Sequence, residues 1–125
     1  MTLFAKKGQA ISREAAMKSR PARLPIVHRE ELGSGRARIT VLLERPGWTR
    51  LLGGGGQYER TFGLDTFGGE VYDACDGRKR VEAIIREFAA RHQISLAEAE
   101  VSVTTFLRTL MTKGLVAMKG QPEEL

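Results

Sequence analysis

Between Leu64 and Asp65 the apolar period of this chain changes, and that change limits what it can fold into. Upstream, Ala37, Ile39, Val41 and Leu43 share one face while Arg38, Thr40 and Glu44 take the other, with Leu42 interrupting the pattern. Tyr58, Arg60, Phe62 and Leu64 repeat the alternation, and a two-residue period is what a half-buried strand requires. Downstream, Phe67, Val71, Ala74 and Cys75 recur at helical spacing, followed by the stripe Val81, Ile84, Ile85, Phe88 and Ala89. A third stripe, Ala99, Val103, Phe106, Leu107 and Leu110, follows the capping box Ser95-Leu96-Ala97-Glu98. Strands first and helices second predict an α+β fold, a three-stranded antiparallel sheet followed by three helices.

The punctuation agrees with this order. Ile26-Val27-His28 leads through Leu32 to Gly33-Ser34-Gly35, a turn that closes an antiparallel hairpin with the strand from Arg36. Pro46-Gly47 ends that strand, because proline cannot donate to a continuing ladder. The connection Trp48 to Gly56 ends in four glycines, and its Trp48, Leu51 and Leu52 are expected to cover an edge or face of the domain's own core. A dimer or partner contact is the alternative. The third strand runs from Gln57 to Leu64, Asp65 or Thr66 caps the first helix, and Gly77 is expected to end it. Gly114 ends the third helix, and Leu115 to Met118 suits a short closing strand.

Charge divides the chain unevenly. Lys6, Lys7, Arg13, Lys18, Arg20 and Arg23 face the single Glu14 within residues 1–23, so this segment holds the whole net charge of +5 and the remainder is balanced. The expected organisation is a basic flexible arm over 1–23, a folded domain over 24–119 and a tail over 120–125. Within the arm, Ser12 to Ser19 suits a short helix with Ser12 as its cap. No apolar run reaches the roughly 20 residues of a membrane span, so no membrane partner is expected. No signal-type apolar region follows the first positive charges, and one cysteine makes no internal disulfide; cytoplasmic placement is the expectation.

The inventory for catalysis is thin, and no cofactor, metal or enzymatic activity is expected. His28 and His92 stand far apart, and Cys75 falls on an apolar helical stripe, where a thiol behaves as a small buried hydrophobe. Gly53 to Gly56 lacks the Lys-Ser/Thr and the strand-to-helix context of a phosphate loop. The third helix opens with Glu98 and Glu100, which would face DNA phosphates, and carries only Arg108 before Lys113 as basic groups. Nucleic acid is therefore not the expected partner. A winged-helix transcriptional regulator, with the arm on phosphate, stays as the alternative reading.

Leu64-Asp65, Gly69, Val71-Tyr72, Cys75-Asp76-Gly77, Val81 and Ile84 resemble the central signature of the PqqD family, and the likeness extends over about residues 24–119. The chain departs from the family pattern at Tyr72, where tryptophan is usual, and at Arg80, where a threonine would cap the second helix. The resemblance implies a winged helix-turn-helix-like fold and a non-catalytic peptide-recognition role. It implies that the leader of a ribosomally synthesised precursor peptide adds to the sheet along the third strand, against the third helix. The implied peptide-binding residues are Tyr58, Glu59, Arg60, Thr61 and Phe62 on the strand, and Val101, Thr104, Thr105 and Arg108 on the helix. The implied partners are the precursor peptide and a radical S-adenosylmethionine maturase or other peptide-modifying enzyme, with a homodimer as a further option.

Overall fold

The computed structural model describes residues 2–6, 9–54 and 56–120. In chain order the elements are β1 (Thr2–Lys6), β2 (Gln9–Ser12), α1 (Arg13–Lys18), β3 (Arg20–Arg23), β4 (His28–Gly33) and β5 (Arg36–Glu44). A 3-10 turn (Gly47–Leu52) and β6 (Gln57–Leu64) follow, then α2 (Thr66–Ala74), α3 (Val81–His92), α4 (Leu96–Thr112) and β7 (Val116–Lys119). The fold is α+β, and its three-stranded antiparallel sheet precedes the three long helices. The described residues form two compact units: Pro25–Gly69, and the segments up to Leu24 and from Glu70 onward.

The first unit is the sheet, ordered β4-β5-β6. Its hairpin turn places Gly33, Ser34 and Gly35 at φ of +88°, +56° and +77°, a left-handed run that two glycines make accessible. Along β5, Ala37, Ile39 and Val41 are buried and Arg36, Arg38 and Leu42 are exposed, so the two-residue period reads the faces correctly. On the opposite face the hydroxyls of Thr40 and Thr61 meet at 2.9 Å. Asp65 is the cap of α2, its Oδ1 accepting from Gly68 N at 2.6 Å, while Thr66 Oγ1 donates to the Ser34 carbonyl. A Cβ on Gly69 would stand 2.6 Å from the Gly35 carbonyl oxygen, so this close approach of backbone to backbone requires glycine.

The second unit is helical. Val81, Ile84, Ile85, Phe88 and Ala89 of α3 are buried, as are Ala99, Val103, Leu107 and Leu110 of α4. Phe106 is only half-buried, and Phe67 departs from the expected α2 stripe by being exposed, while Tyr72, five residues further along the chain, is buried. The Ser95–Glu98 capping box is closed in both directions, at 3.0 and 3.1 Å. Arg80 heads α3 with no side-chain cap, as the missing hydroxyl predicts.

Three expectations are corrected. The basic arm is not loose over residues 12–23: Ser12 caps α1, Ala16 and Met17 are buried, and β3 pairs with β7, Pro21 opposite Met118 and Ala22 opposite Ala117. The closing strand anticipated at Leu115 to Met118 therefore exists, and its partner is the supposed arm. Gly77 adopts φ +79° but does not end α2, which stops at Ala74. It donates instead to the Pro21 carbonyl at 2.9 Å, while Arg23 N donates to Cys75 O at 3.0 Å and Val81 N to Ser19 O at 2.9 Å. The segment Cys75 to Gly77 thus receives the backbone of residues 19–23, and Arg23 adds side-chain donation to the carbonyls of Tyr72 and Asp73. Finally, Trp48, Leu51 and Leu52 do not cover the core; all three are exposed. Residues 121–125 of the expected tail lie outside the described residues.

Candidate functional site

β6 is the edge of its sheet, paired with β5 on one side and with no strand on the other among the described residues. Its eight residues stand opposite Ala37 to Glu44, from Leu64 against Ala37 to Gln57 against Glu44. The parity of the ladder decides which backbone groups are free. Arg45 N donates to Gly56 O at 2.8 Å, and narrow hydrogen-bonded pairs alternate with wide ones along an antiparallel ladder. The narrow pairs are therefore Leu43–Tyr58, Val41–Arg60 and Ile39–Phe62. Tyr58, Arg60 and Phe62 use their amides and carbonyls on β5, whereas Gln57, Glu59, Thr61 and Gly63 present theirs at the open edge.

Side chains divide the other way. Tyr58 and Phe62 are half-buried on one face, and a guanidinium lies over each ring, Arg45 at 4.8 Å from the Tyr58 centroid and Arg60 at 5.1 Å from that of Phe62. Glu59 and Thr61 lie on the other face with Thr40. All five strand residues implied by the resemblance are thus on one open edge.

The four helix residues do not all qualify. Val101, Thr105 and Arg108 are exposed and follow one another at four- and three-residue spacing, so they share a face of α4. Thr104 is buried, and its hydroxyl donates to Glu100 O at 2.7 Å, so it offers a ligand nothing. The hydroxyls of Thr105 and Thr109 likewise donate back along the helix, to Val101 O at 2.6 Å and Thr105 O at 3.1 Å. With Thr105's hydroxyl engaged, the exposed surface near Val101 is methyl-rich. β6 belongs to the sheet unit and α4 to the helical unit.

Reactive chemistry has little to work with. Cys75 is fully buried, its Sγ donates to Val71 O, and burial pushes the thiol up to about 12. His92 Nε2 lies 2.9 Å from Glu70 Oε1, a pair 22 residues apart that the sequence reading passed over. Arg91 joins the same carboxylate at 3.5 Å, making a link between helices in which no nucleophile takes part. Among the described residues no cluster of His, Cys, Asp and Glu is arranged to hold a metal ion. Glu100, at the start of the α4 face, is held below the usual carboxylate range by the Arg13 guanidinium, which grips it at 2.6 and 3.0 Å.

Residues 40–116, well over half of the chain, match the family model described as Coenzyme PQQ synthesis protein D (PqqD). The match runs from the middle of β5 to the first residue of β7 and so contains β6 and α4 whole. Comparison with curated proteins and with solved structures returned no match.

Proposed function

The chain belongs to the PqqD family, and from that premise we propose that it is a non-catalytic recognition protein for the leader of a ribosomally synthesised precursor peptide. The leader adds as a further strand along β6, and the complex presents the peptide to a modifying enzyme of the radical S-adenosylmethionine type. The observation that carries this reading is the open edge, where Glu59 and Thr61 hold unpaired donors and acceptors beside the half-buried rings of Tyr58 and Phe62. Such an edge supplies affinity through main-chain hydrogen bonds and specificity through alternate side chains. Val101, Thr105 and Arg108 are the exposed α4 positions that the family likeness adds, whereas Thr104 is buried. The protein needs no cofactor of its own, and its place is the cytoplasm, alongside the maturase.

Nitrogen-15 chemical-shift mapping tests the reading, using the synthetic leader of a precursor encoded beside the gene. Shifts should concentrate in the amides of Gln57, Glu59, Thr61 and Gly63. Perturbations that spare β6 while affecting α4 and the basic residues of α1 would refute strand addition. Binding to duplex DNA that falls steeply with salt would point to the regulator reading instead, which the paired Arg13–Glu100 and the acidic start of α4 do not favour.

A further inference from the structure

The β5–β6 connection carries three large apolar side chains that nothing in its own unit covers: Trp48 is 63% exposed, Leu51 88% and Leu52 77%. They sit on one tight turn. In a 3-10 helix residues three apart eclipse, so Trp48 and Leu51 share a line and Leu52 lies beside them. The backbone beneath them is built. Thr49 donates through both N and Oγ1 to Pro46 O, Gly53 N donates to Arg50 O, Gly54 N donates to Thr49 O, and Arg45 N closes the neck on Gly56 O. The turn is a preorganised finger that holds its apolar side chains away from its own hydrogen bonds.

Charge and area together select the occupant. From Arg45 to Gly56 there is no acidic residue, and Arg45 and Arg50 are exposed with no ion pair among the described residues. Even at the roughly 150–250 Å² of an aromatic side chain, three side chains cover about 450–750 Å², and with two leucines among them less, below the roughly 800 Å² per partner of a stable protein interface. A lipid interface asks for less: an indole at headgroup level, aliphatic side chains just below it, and guanidinium groups among the phosphates. We propose that the finger docks on an anionic bilayer surface, inserting Trp48, Leu51 and Leu52 with Arg45 and Arg50 on the lipid phosphates. This is a resting contact rather than a span; no described helix is long and apolar enough to cross a membrane. A chain without a spanning segment can still make such a surface contact. The proposal does not rest on the peptide-recognition reading, and Arg45, whose guanidinium lies over Tyr58, is the one residue common to both.

Trp48 is the only tryptophan, so its fluorescence reports on the finger alone. With vesicles of phosphatidylcholine mixed with phosphatidylglycerol, its emission should shift to the blue and be quenched by brominated acyl chains. Phosphatidylcholine alone should give a much smaller shift. Leu51→Ser should lower partitioning about tenfold or more, from the aliphatic carbons withdrawn from the interface. Arg50→Gln should lower it about fivefold on the anionic vesicles only. Both side chains are exposed, so circular dichroism of the variants should match the parent. Unchanged Trp48 emission with either vesicle overturns the proposal. A blue shift without vesicles that grows with protein concentration, together with a dimer mass, overturns it in favour of a second copy. A blue shift that appears only on adding leader peptide or a maturase overturns it as well.

Discussion

Thr61→Pro separates the fold of the sheet from its use. On the parity derived above, the Thr61 amide points away from β5, so proline there removes no hydrogen bond from the existing ladder. Arg60, the residue before it, is already extended, as a pre-proline residue prefers. What the folded protein loses is the hydroxyl contact to Thr40, worth about 0.5–1.5 kcal/mol and at the lower end because it is exposed. An incoming strand loses more. One donor disappears and one peptide acceptor is left facing a pyrrolidine ring, a penalty of about 1.5–3 kcal/mol, or roughly a tenfold to hundredfold weaker Kd. Arg60→Pro is the inverse variant. It orphans the carbonyl of buried Val41, costing about 1–3 kcal/mol from that group alone, and should lower stability visibly. The assay is calorimetric titration with the synthetic leader, alongside urea unfolding of both variants. A folded Thr61→Pro protein with parental Kd would refute strand addition at β6. Unfolding of Thr61→Pro with a stable Arg60→Pro would refute the parity itself.

Other consequences are open to direct measurement. Cys75 has its pKa raised from 9.0 to about 12 by burial, so the folded state holds a proton that the unfolded state gives up between those values. Its contribution is complete below pH 9 and fades as pH rises toward 12; urea unfolding should show stability falling with a slope of up to about 1.4 kcal/mol per pH unit in that window, a slope that Cys75→Ala lacks. The native thiol should also resist a disulfide reagent at pH 8 until the protein is unfolded. Arg80→Ser should supply the missing cap of α3, adding about 1 kcal/mol at the expense only of an exposed ion pair to Glu82 at 3.8 Å; thermal melting should rise by about 4 °C. Deleting residues 1–23 should unpair β7 and leave the backbone groups around Cys75 and Gly77 without partners, so circular dichroism should show a broadened or lost transition rather than an unchanged one.

Much of the fold is written locally. The change of period at Leu64, the stripes of α3 and α4, the Asp65 cap, the Ser95–Glu98 box and the burial of Cys75 all follow from residues within about two helical turns of one another. Those relations depend on local sterics and hydrogen bonding, so the chain states them without its tertiary partners. The family signature was legible for the same reason, since it lies on this contiguous frame. Pairing at long range has no such record. Arg20–Arg23 shows no alternation and contains a proline, and only β7, nearly the whole chain away, makes it a strand. Gly77 reads as a helix stop from its neighbours but serves as a seat for Pro21, because its partner comes from the other end of the sequence. Thr104 and Thr105 are alike as letters; a rotation of about 100° around α4 buries one and exposes the other. Trp48, Leu51 and Leu52 look like core by composition, yet the turn that holds them satisfies its own backbone and leaves them in solvent. The sequence by itself determined the three strands of the main sheet, the three long helices and the family they compose. Only the tertiary structure decided which edge stays open and which of its amides face outward, because both are set by which partner each strand finds.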